Sequence, residues 1–325
     1  MNKKACVTGG SGFIGSFLVK RLVYEGWEVI VIDSMLRGMK SRLIDVKKNI
    51  TIVECDIRDE ESVTKAIEGC EVVFHLAAIN GTENFYKHPE LVFDVGVKGA
   101  LSVINACFNS KVKNVIFASS AEVYQTPKVI PTSENIPLTL PDSLNPRYSY
   151  GGSKIASELI AFNYHQTFFE KVQVFRPHNV YGPDMGWKHV VPQFIQRMRE
   201  LKSNNQQSFS IYGSGKETRA FCFVDDIVDG ILTMFANGGH REVYHIGNNE
   251  EVTIAELAQH IATKMNVSIE LVHEEAPMGA TNRRCPDIGK MNKIGFEPKV
   301  NISEGLEKTI AWYQTNSSKA TNKLL

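Results

Sequence analysis

The chain has 325 residues, of which 43% are hydrophobic and 22% charged, a composition typical of globular enzymes. Its 36 lysines and arginines balance 36 aspartates and glutamates, so the charge does not indicate a nucleic acid or an acidic membrane surface as a partner. No segment reaches the roughly 18 consecutive apolar residues of a membrane span, and the first residues show no signal-peptide pattern. We therefore expect a cytoplasmic protein with a large core.

The first predicted element is a short strand over residues 4–8 that meets a glycine-rich turn and then an apolar helix. Glycines let such a turn tighten and let the backbone approach a pyrophosphate, which lies on the positive N-terminus of the helix. The turn and the start of the helix comprise Gly9, Gly12, Phe13, Ile14 and Gly15. This pattern predicts a dinucleotide site, and the alternative is an ordinary strand-to-helix turn.

A second strand, residues 28–32, ends at Asp33. A carboxylate at this position accepts hydrogen bonds from the adenosine ribose hydroxyls and repels a 2′-phosphate. The predicted cofactor is therefore NAD. Arg37 lies close enough to Asp33 to keep NADP as an alternative.

Strands and helices alternate through the first half of the chain. We predict strands at 50–54, 72–76, 114–119 and 172–175, and helices at 60–67, 89–109 and 148–169. Such alternation is typical of βαβ units, and it predicts an α/β fold with a Rossmann-like, doubly wound parallel sheet.

The second half is less regular, with short strands at 209–212 and 243–246 and helices near 225–236 and 253–264. We predict an NAD-binding domain over residues 1–177 and a smaller substrate-binding lobe over 178–315. Some segments of this lobe are expected to return to the Rossmann sheet, and residues 316–325 are expected to form a frayed tail.

The six cysteines form no CxxC pair, and no histidine stands at metal-ligand spacing. Three of them fall in apolar, strand-like runs, where a thiol behaves as a small hydrophobic group. The positions of all six are Cys6, Cys55, Cys70, Cys107, Cys222 and Cys285. We expect reduced, structural cysteines and no metal.

Tyr150 and Lys154 are four residues apart on a predicted helix, so they share one face. An ammonium beside a phenol is expected to lower the tyrosine pKa and so to favour a general base. Ser119 and Ser120 follow the preceding strand, at the sheet edge where active sites of open α/β folds lie. The alternative is a surface tyrosine–lysine pair.

With these features the chain resembles the extended short-chain dehydrogenase/reductase superfamily, and best its nucleotide-sugar epimerase, dehydratase and decarboxylase branch. The resemblance covers almost the whole chain. Its further motifs lie at residues 55–57, 75–78, 176–183, 211–221, 224–226, 283–287 and 295–298.

The resemblance implies a catalytic triad of Ser120, Tyr150 and Lys154. Tyr150 would take the proton of the sugar 4-hydroxyl while the hydride passes to NAD, Ser120 would hydrogen-bond the reacting oxygen, and Lys154 would also hold the nicotinamide ribose. The implied cofactor contacts further include Asp56 and Ile57 at the adenine and, around the pyrophosphate, Leu76, Ala77 and Ala78.

The resemblance also implies that Asn179, Arg219 and Arg284 hold the nucleotide diphosphate of the substrate, since the forked guanidinium suits phosphate oxygens. Ion pairs of Arg219 with Asp225 and of Arg284 with Asp287 are the structural alternatives. Arg283 is the other arginine that could serve in place of Arg284.

Two positions bear on the reaction. Ala121 stands where the 4,6-dehydratases of the family carry an aspartic acid, and alanine cannot protonate a leaving hydroxyl. Glu122 remains as a catalytic acid or base, or in a structural role such as a hydrogen bond to Arg176 or to the backbone. Gly96 and Ala100 depart from the family's usual asparagine and glycine, which indicates altered contacts near the cofactor.

We therefore predict an NDP-sugar 4-epimerase acting through transient oxidation at C4. The alternatives are a UDP-glucuronate-type decarboxylase, another NDP-sugar dehydratase or dehydrogenase, and a non-catalytic NAD-binding sensor. The family pairs two helices, here 89–109 and 148–169, across a two-fold axis, so the resemblance implies a homodimer. Loops at 80–88 and 185–191 are expected to touch the sugar.

Overall fold

A parallel sheet organises the chain in the computed structural model, which describes residues 3–275 and 282–316. Seven strands form this sheet in the order β11-β6-β5-β4-β1-β2-β3, and every neighbouring pair is parallel. In chain order the described strands are β1 (Lys4–Thr8), β2 (Glu28–Ile32), β3 (Ile50–Val53), β4 (Val72–His75), β5 (Asn114–Ala118), β6 (Lys171–Pro177), β7 (Val180–Tyr181), β8 (Ser208–Tyr212), β9 (Thr218–Ala220), β10 (Cys222–Phe223), β11 (Glu242–Ile246), β12 (Glu251–Thr253), β13 (Glu270–Glu274) and β14 (Arg283–Arg284).

Helices cover both faces of this sheet. They are α1 (Phe13–Tyr24), α2 (Glu60–Ala66), α3 (Thr82–Lys87), α4 (Pro89–Asn109), α5 (Ser149–Asn163), α6 (Val190–Asn204), α7 (Val224–Asn237), α8 (Ile254–Met265), α9 (Gly289–Asn292) and α10 (Ile302–Thr315). Three short 3₁₀ segments lie at Lys40–Val46, Ala121–Tyr124 and Pro146–Tyr148. The predicted α/β fold with a doubly wound parallel sheet is confirmed.

The strands alternate their side chains between two apolar cores, because successive residues of a strand point to opposite faces. In β1, Cys6 packs with α2, α4 and α5, whereas Ala5 and Val7 pack with α1 and α7. The strands are therefore almost continuously apolar, as expected for a sheet buried on both faces. Polar and glycine-rich segments are left to the carboxyl ends of the strands.

A third apolar core lies outside the central sheet and is built from the second half of the chain. Helices α6, α8 and α10 pack there with β8 and with the aromatic side chains of Tyr181 and Phe223. The chain does not divide cleanly in sequence, since β11 pairs with β6 at the sheet edge and α7 packs against α1. Residues 317–325 of the predicted tail lie outside the described residues.

The helix predicted over 148–169 ends earlier, at Asn163. His165 adopts a left-handed backbone with φ +50°, and its ring stacks on Phe108 at 4.1 Å between centroids. Its Nε2 atom also lies 3.0 Å from the side-chain oxygen of Asn105 on α4. These contacts turn the chain toward β6, and periodicity alone does not reveal them.

Helix α4 is long and apolar enough to pass a length-and-composition test for a membrane span. More than half of it is buried in the protein, where it packs against α2 and α5. It also carries Asp94 and Lys98, which pair with one another at 2.9 Å on the exposed side. These features are typical of a core helix of a globular domain.

Candidate active site

The glycine turn after β1 leaves room for a ligand's phosphates at the start of α1. Gly9 has φ +69°, and a Cβ there would lie 2.8 Å from the backbone nitrogen of Ala77. A Cβ on Gly15 would lie 2.2 Å from the Gly9 carbonyl oxygen, so only glycine lets the helix approach the turn. The N-cap residue, Gly12, makes no side-chain hydrogen bond to the helix. The first N–H groups of α1 can therefore receive an anion.

The carboxylate of Asp33 is 8% exposed and lies against this turn. One oxygen accepts from the Ser11 backbone N–H at 3.0 Å, and the other accepts from Met35 N–H at 2.9 Å. A Cβ on Gly38 would lie 2.6 Å from the same carboxylate. Burial raises the pKa of Asp33, and the two N–H donors oppose this shift. Each oxygen retains acceptor capacity for a ribose hydroxyl.

The other predicted cofactor residues lie at the ends of β3 and β4. Asp56 pairs with Arg58 at 2.6 Å, and that contact lowers the pKa of the carboxyl. Ile57 is buried under α4, where a Cβ on Gly99 would meet it at 2.3 Å. Residues 76–78 follow β4 directly. Within them, the backbone N–H of Ala77 donates to the Thr8 hydroxyl at 3.2 Å, which joins this loop to β1.

The three residues of the predicted triad lie together at the carboxyl end of β5. Ser120 lies close enough to the Tyr150 phenol to lower its pKa, and the Lys154 ammonium lies 5.8 Å from the centre of the Tyr150 ring. Lys154 donates to the Ala118 carbonyl at 2.7 Å. Tyr150 and Lys154 are 7% and 3% exposed, so their chemistry takes place largely out of water.

The expected effect of Lys154 on Tyr150 is not what the structure shows. Burial raises the pKa of Tyr150 to about 12, against opposing effects of Ser120 and Arg37. Burial also lowers the pKa of Lys154 to about 8, while Glu158 opposes this shift. Removal from water is the largest influence on both groups, and the ammonium donates to a carbonyl rather than to the phenol.

The lowered Lys154 pKa gives a testable pH dependence of stability. The unfolded chain binds this proton more tightly than the folded chain, so this residue makes folding more favourable as pH rises from about 8 toward the ordinary lysine value. We expect the stability of Lys154→Met relative to wild type to fall between pH 8 and pH 10. Urea titrations of both proteins check this. The buried cysteine thiols also contribute to the pH dependence, but they are present in both proteins, so their effect cancels in the difference in stability. A pH-independent difference would contradict it.

Phe85 is a site residue that the sequence analysis missed. Its ring lies parallel to that of Tyr150, with 5.0 Å between centroids and 10° between planes. Phe85 is buried on α3, within the loop predicted to touch the sugar. No spacing rule marks it, because α3 is only six residues long. It restricts the phenol to one plane and keeps water from one face.

Gly96, noted as a departure from the family pattern, lies where α4 crosses the catalytic helix α5. A Cβ there would lie 2.5 Å from the Ser153 side chain. The Gly96 carbonyl accepts from the Ser157 hydroxyl at 2.9 Å, and the Ser153 hydroxyl donates to the Tyr150 carbonyl. Glycine is needed here because α4 and α5 pack closely at this point. The contact on α5, Ser153, is about one helical turn from Tyr150.

Glu122 forms an ion pair with Arg284 at 2.6 Å, and this pairing was not among the predicted alternatives. Arg176 pairs instead with Glu158, at 2.5 Å. Burial favours the neutral Glu122, yet Arg284 and two further arginines reverse this and lower its pKa. Glu122 is therefore a carboxylate at neutral pH, able to accept a proton but not to donate one.

Arg219 and Arg284 are directly paired residues of the parallel strands β9 and β14. Burial and the neighbouring Arg284 both lower the pKa of Arg219, which shows that the two cations repel. Arg283 faces the other way and pairs with Glu251 at 2.6 Å. The described residues show no pair of Arg284 with Asp287, and it is Arg284, rather than Arg283, that contacts Glu122.

Asn179 borders the same region. It has φ +40°, its side chain donates to the Ala220 carbonyl at 3.1 Å, and its carbonyl accepts from Cys222 N–H. These bonds place the residue next to Arg219. The structure thus brings Asn179, Arg219, Arg284 and Glu122 together near Ser120, and an anionic ligand there would relieve the repulsion between the arginines.

Residues 5–247 match the NAD dependent epimerase/dehydratase family. The chain belongs to this family. It is 31% identical, over 97% of its length and 98% of the relative, to a UDP-N-acetyl-alpha-D-glucosaminuronate decarboxylase from Bacillus cytotoxicus. It is 30% identical, over 96% of its length and 98% of the relative, to a putative UDP-glucose 4-epimerase from Methanocaldococcus jannaschii.

Solved members of the epimerase/dehydratase family share the fold along the whole chain. A dTDP-glucose 4,6-dehydratase from Streptomyces venezuelae, solved with NAD, superposes with a TM-score of 0.87 at 28% identity, covering 98% of this chain and 99% of that one. A UDP-glucose 4-epimerase from Thermotoga maritima, solved with UDP-glucose, gives 0.85 at 29% identity over 97% and 99%. The expected cofactor, NAD, is confirmed by the family.

Proposed function

We propose that the protein is a nucleotide-sugar 4-epimerase that oxidises C4 of the sugar and returns the hydride to the opposite face within one turnover. The observation that carries the proposal is the placement of Ser120 and Lys154 beside the Tyr150 phenol, with no further proton donor at position 121. Epimerisation at C4 needs one base, which later acts as the acid, and nothing more.

The chain's own residues divide the work as follows. Tyr150 would accept the proton of the 4-hydroxyl, which requires its pKa to fall from about 12 once cofactor and substrate are bound, and Ser120 would donate a hydrogen bond to the same oxygen as a carbonyl forms there. Bound NAD supplies the hydride acceptor. Lys154, with a pKa of about 8, is mostly protonated near neutral pH, and its charge would stabilise a phenolate against the burial that raises the Tyr150 pKa. Burial of the phenol and ammonium excludes water that would release the keto sugar.

Two observations count against dehydration. Ala121 is buried and has no proton to give to a leaving hydroxyl. Glu122, the next residue, is held as a carboxylate by Arg284. An elimination that needs a protonated side chain at this position would have to run without one.

Decarboxylation of a nucleotide-linked uronic acid is the second candidate. The 31% identical relative named as a decarboxylase supports it, and so do the arginines around Glu122. Once C4 is a ketone, the carboxyl carbon leaves as carbon dioxide and the electron pair passes toward the C4 oxygen. Ser120 and Tyr150 would stabilise that oxygen without any change in their positions.

A panel of UDP-, GDP-, CDP- and dTDP-sugars, including uronic acids, separates these functions by mass spectrometry and chromatography. A new peak of unchanged mass supports epimerisation, and loss of carbon dioxide supports the second candidate. Loss of water would contradict the argument from Ala121. Binding of NAD with no conversion of any substrate would indicate a sensor, and NADH formed in step with product would indicate a dehydrogenase.

Arg284 provides a test of the diphosphate site with its neighbour as a matched control. We expect Arg284→Met to raise KM for the nucleotide sugar by about 10- to 100-fold, because a charge-assisted contact to phosphate is lost. Arg283→Met should leave KM within about twofold, since that side chain pairs with Glu251 away from the cleft. Equal effects of the two changes would contradict the assignment.

We further propose that the protein is a homodimer joined through α4 and α5. Phe93 on α4 and Leu159 on α5 are 45% and 62% exposed, on the helix faces turned away from the sheet. Large apolar side chains on a shared outer face are typical of an interface. Sedimentation velocity should give the mass of two chains, and a Leu159→Asp variant should give one.

A further inference from the structure

The loop after β2 reaches over the glycine turn. Arg37 follows β2 and donates to the Asn80 carbonyl, in the loop after β4, at 2.5 Å. In the sheet, β1 lies between β2 and β4. A side chain that joins the two outer loops must therefore cross the carboxyl end of β1, where the glycine turn lies.

Other cations around this crossing already have carboxylate partners. Arg42 pairs with Asp184 at 3.1 Å and also donates to the Ser11 carbonyl of the glycine turn at 3.2 Å. Lys188 pairs with Glu83 on α3. Both pairs join residues of the second half of the chain to the loops at the carboxyl ends of the strands. In each pair the positive charge is balanced by a carboxylate.

Arg37 differs from these two cations. Among the residues that the structure describes, no carboxylate forms an ion pair with it, and its partner is a neutral carbonyl. Burial lowers its pKa most, Tyr150 opposes this shift and Arg42 adds to it, so the guanidinium is buried without a carboxylate to compensate its charge. Its terminal nitrogen also approaches Gly186 of the second lobe, 3.8 Å from the position of a Cβ there.

We propose that Arg37 closes over the pyrophosphate of bound NAD, exchanging the Asn80 carbonyl for phosphate oxygens. The pyrophosphate belongs at the glycine turn because the N–H groups of α1 face it there. Arg37 then supplies the opposite wall with a forked, permanently charged donor. It reaches across the turn toward Asn80, so its role is retention of the dinucleotide and not recognition of a 2′-phosphate.

This clasp suits a reaction that removes and returns the same hydride. A dinucleotide that left after the first step would strand a keto sugar, so slow release is useful in such a site. The proposal concerns the cofactor of the family and holds whichever nucleotide sugar is the substrate. It is therefore tested without turnover.

The experiment compares Arg37→Ala and Arg37→Gln with wild type and with Arg199→Ala, which removes an exposed arginine of α6. NAD release from the full-length holoprotein is followed by trapping the freed dinucleotide. Binding of NAD, ADP-ribose, adenosine and NADP to nucleotide-depleted protein is then measured by calorimetry, with adenosine followed by NMR. Circular dichroism establishes which variants fold. If Arg37→Ala does not fold, the comparison is made with Arg37→Gln alone.

We expect both Arg37 variants to release NAD at least tenfold faster and to bind NAD and ADP-ribose at least tenfold more weakly. Adenosine binding should stay within twofold, and Arg199→Ala should match wild type throughout. Unchanged release of NAD, or an equal loss of adenosine binding, would overturn the proposal. A loss of affinity for NAD but not for ADP-ribose would place Arg37 at the nicotinamide and would also overturn the proposal. So would a loss of affinity for NADP alone.

Discussion

Replacement of Tyr150 by phenylalanine is expected to lower turnover of the nucleotide sugar by about 10²- to 10⁴-fold, the usual contribution of a positioned acid–base group. The phenol lies beside Ser120, which lowers its pKa, and no second base lies at position 121. Removing one hydroxyl leaves the ring stacked on Phe85, so the fold and NAD binding should persist.

Single-turnover kinetics and the NAD content of the purified variant measure both parts of this expectation. Tyr164→Phe is a matched control, because Tyr164 follows the same helix and is 44% exposed. A Tyr150→Phe enzyme with wild-type turnover would show that the phenol is not the base. The mechanism in which Tyr150 removes the 4-hydroxyl proton would then fail for both the epimerase and the decarboxylase proposal, since each begins with that step.

The second large effect concerns stability. Arg176 and Glu158 form a bidentate ion pair, with N–O distances of 2.5 and 2.8 Å, and their side chains are 4% and 6% exposed. Ser119 donates to the same carboxylate, and Arg176 also donates to the Tyr124 hydroxyl and the Glu134 carbonyl. Arg176→Met leaves Glu158 charged and uncompensated, so we expect a loss of about 3–5 kcal/mol in the free energy of unfolding.

Urea denaturation at neutral pH measures this loss. The double variant Arg176→Met/Glu158→Leu should recover much of it, because replacing both members of a buried pair with apolar groups of similar size is often neutral. A single variant that loses less than about 1 kcal/mol would contradict the view that this pair sustains the site. Glu158 lies one turn beyond Lys154 on α5, so loss of order here should also disturb catalysis.

The sequence was sufficient for the central sheet because its strands are short apolar runs and its helices are longer periodic ones. Helix 89–109 and strand 28–32 agree with the structure residue for residue. The predicted end of α5 was wrong, since the observed end depends on a ring contact between His165 and Phe108. Helix α6 went unpredicted, because proline-bearing loops around it obscured its period.

The site was predictable where the chemistry dictates both residue type and spacing, as at the glycine turn and at Tyr150 with Lys154. Its pairings were not. Glu122 and Arg284 are 162 residues apart, and several carboxylates stand closer to Arg284 in sequence. The parallel register of β14 with β9 decides that Arg284, and not Arg283, shares the cleft with Arg219. Such register is a property of the folded chain.

The pairing of β11 with β6 has a consequence for how the chain is made. During synthesis, β6 emerges long before its edge partner, because residues 178–241 must be translated first. Until then an apolar strand presents unpaired N–H and C=O groups along one side, a template for wrong association. A nascent chain of this protein should therefore depend on chaperones while residues 178–241 are added. A fragment cut at residue 177 should aggregate rather than fold.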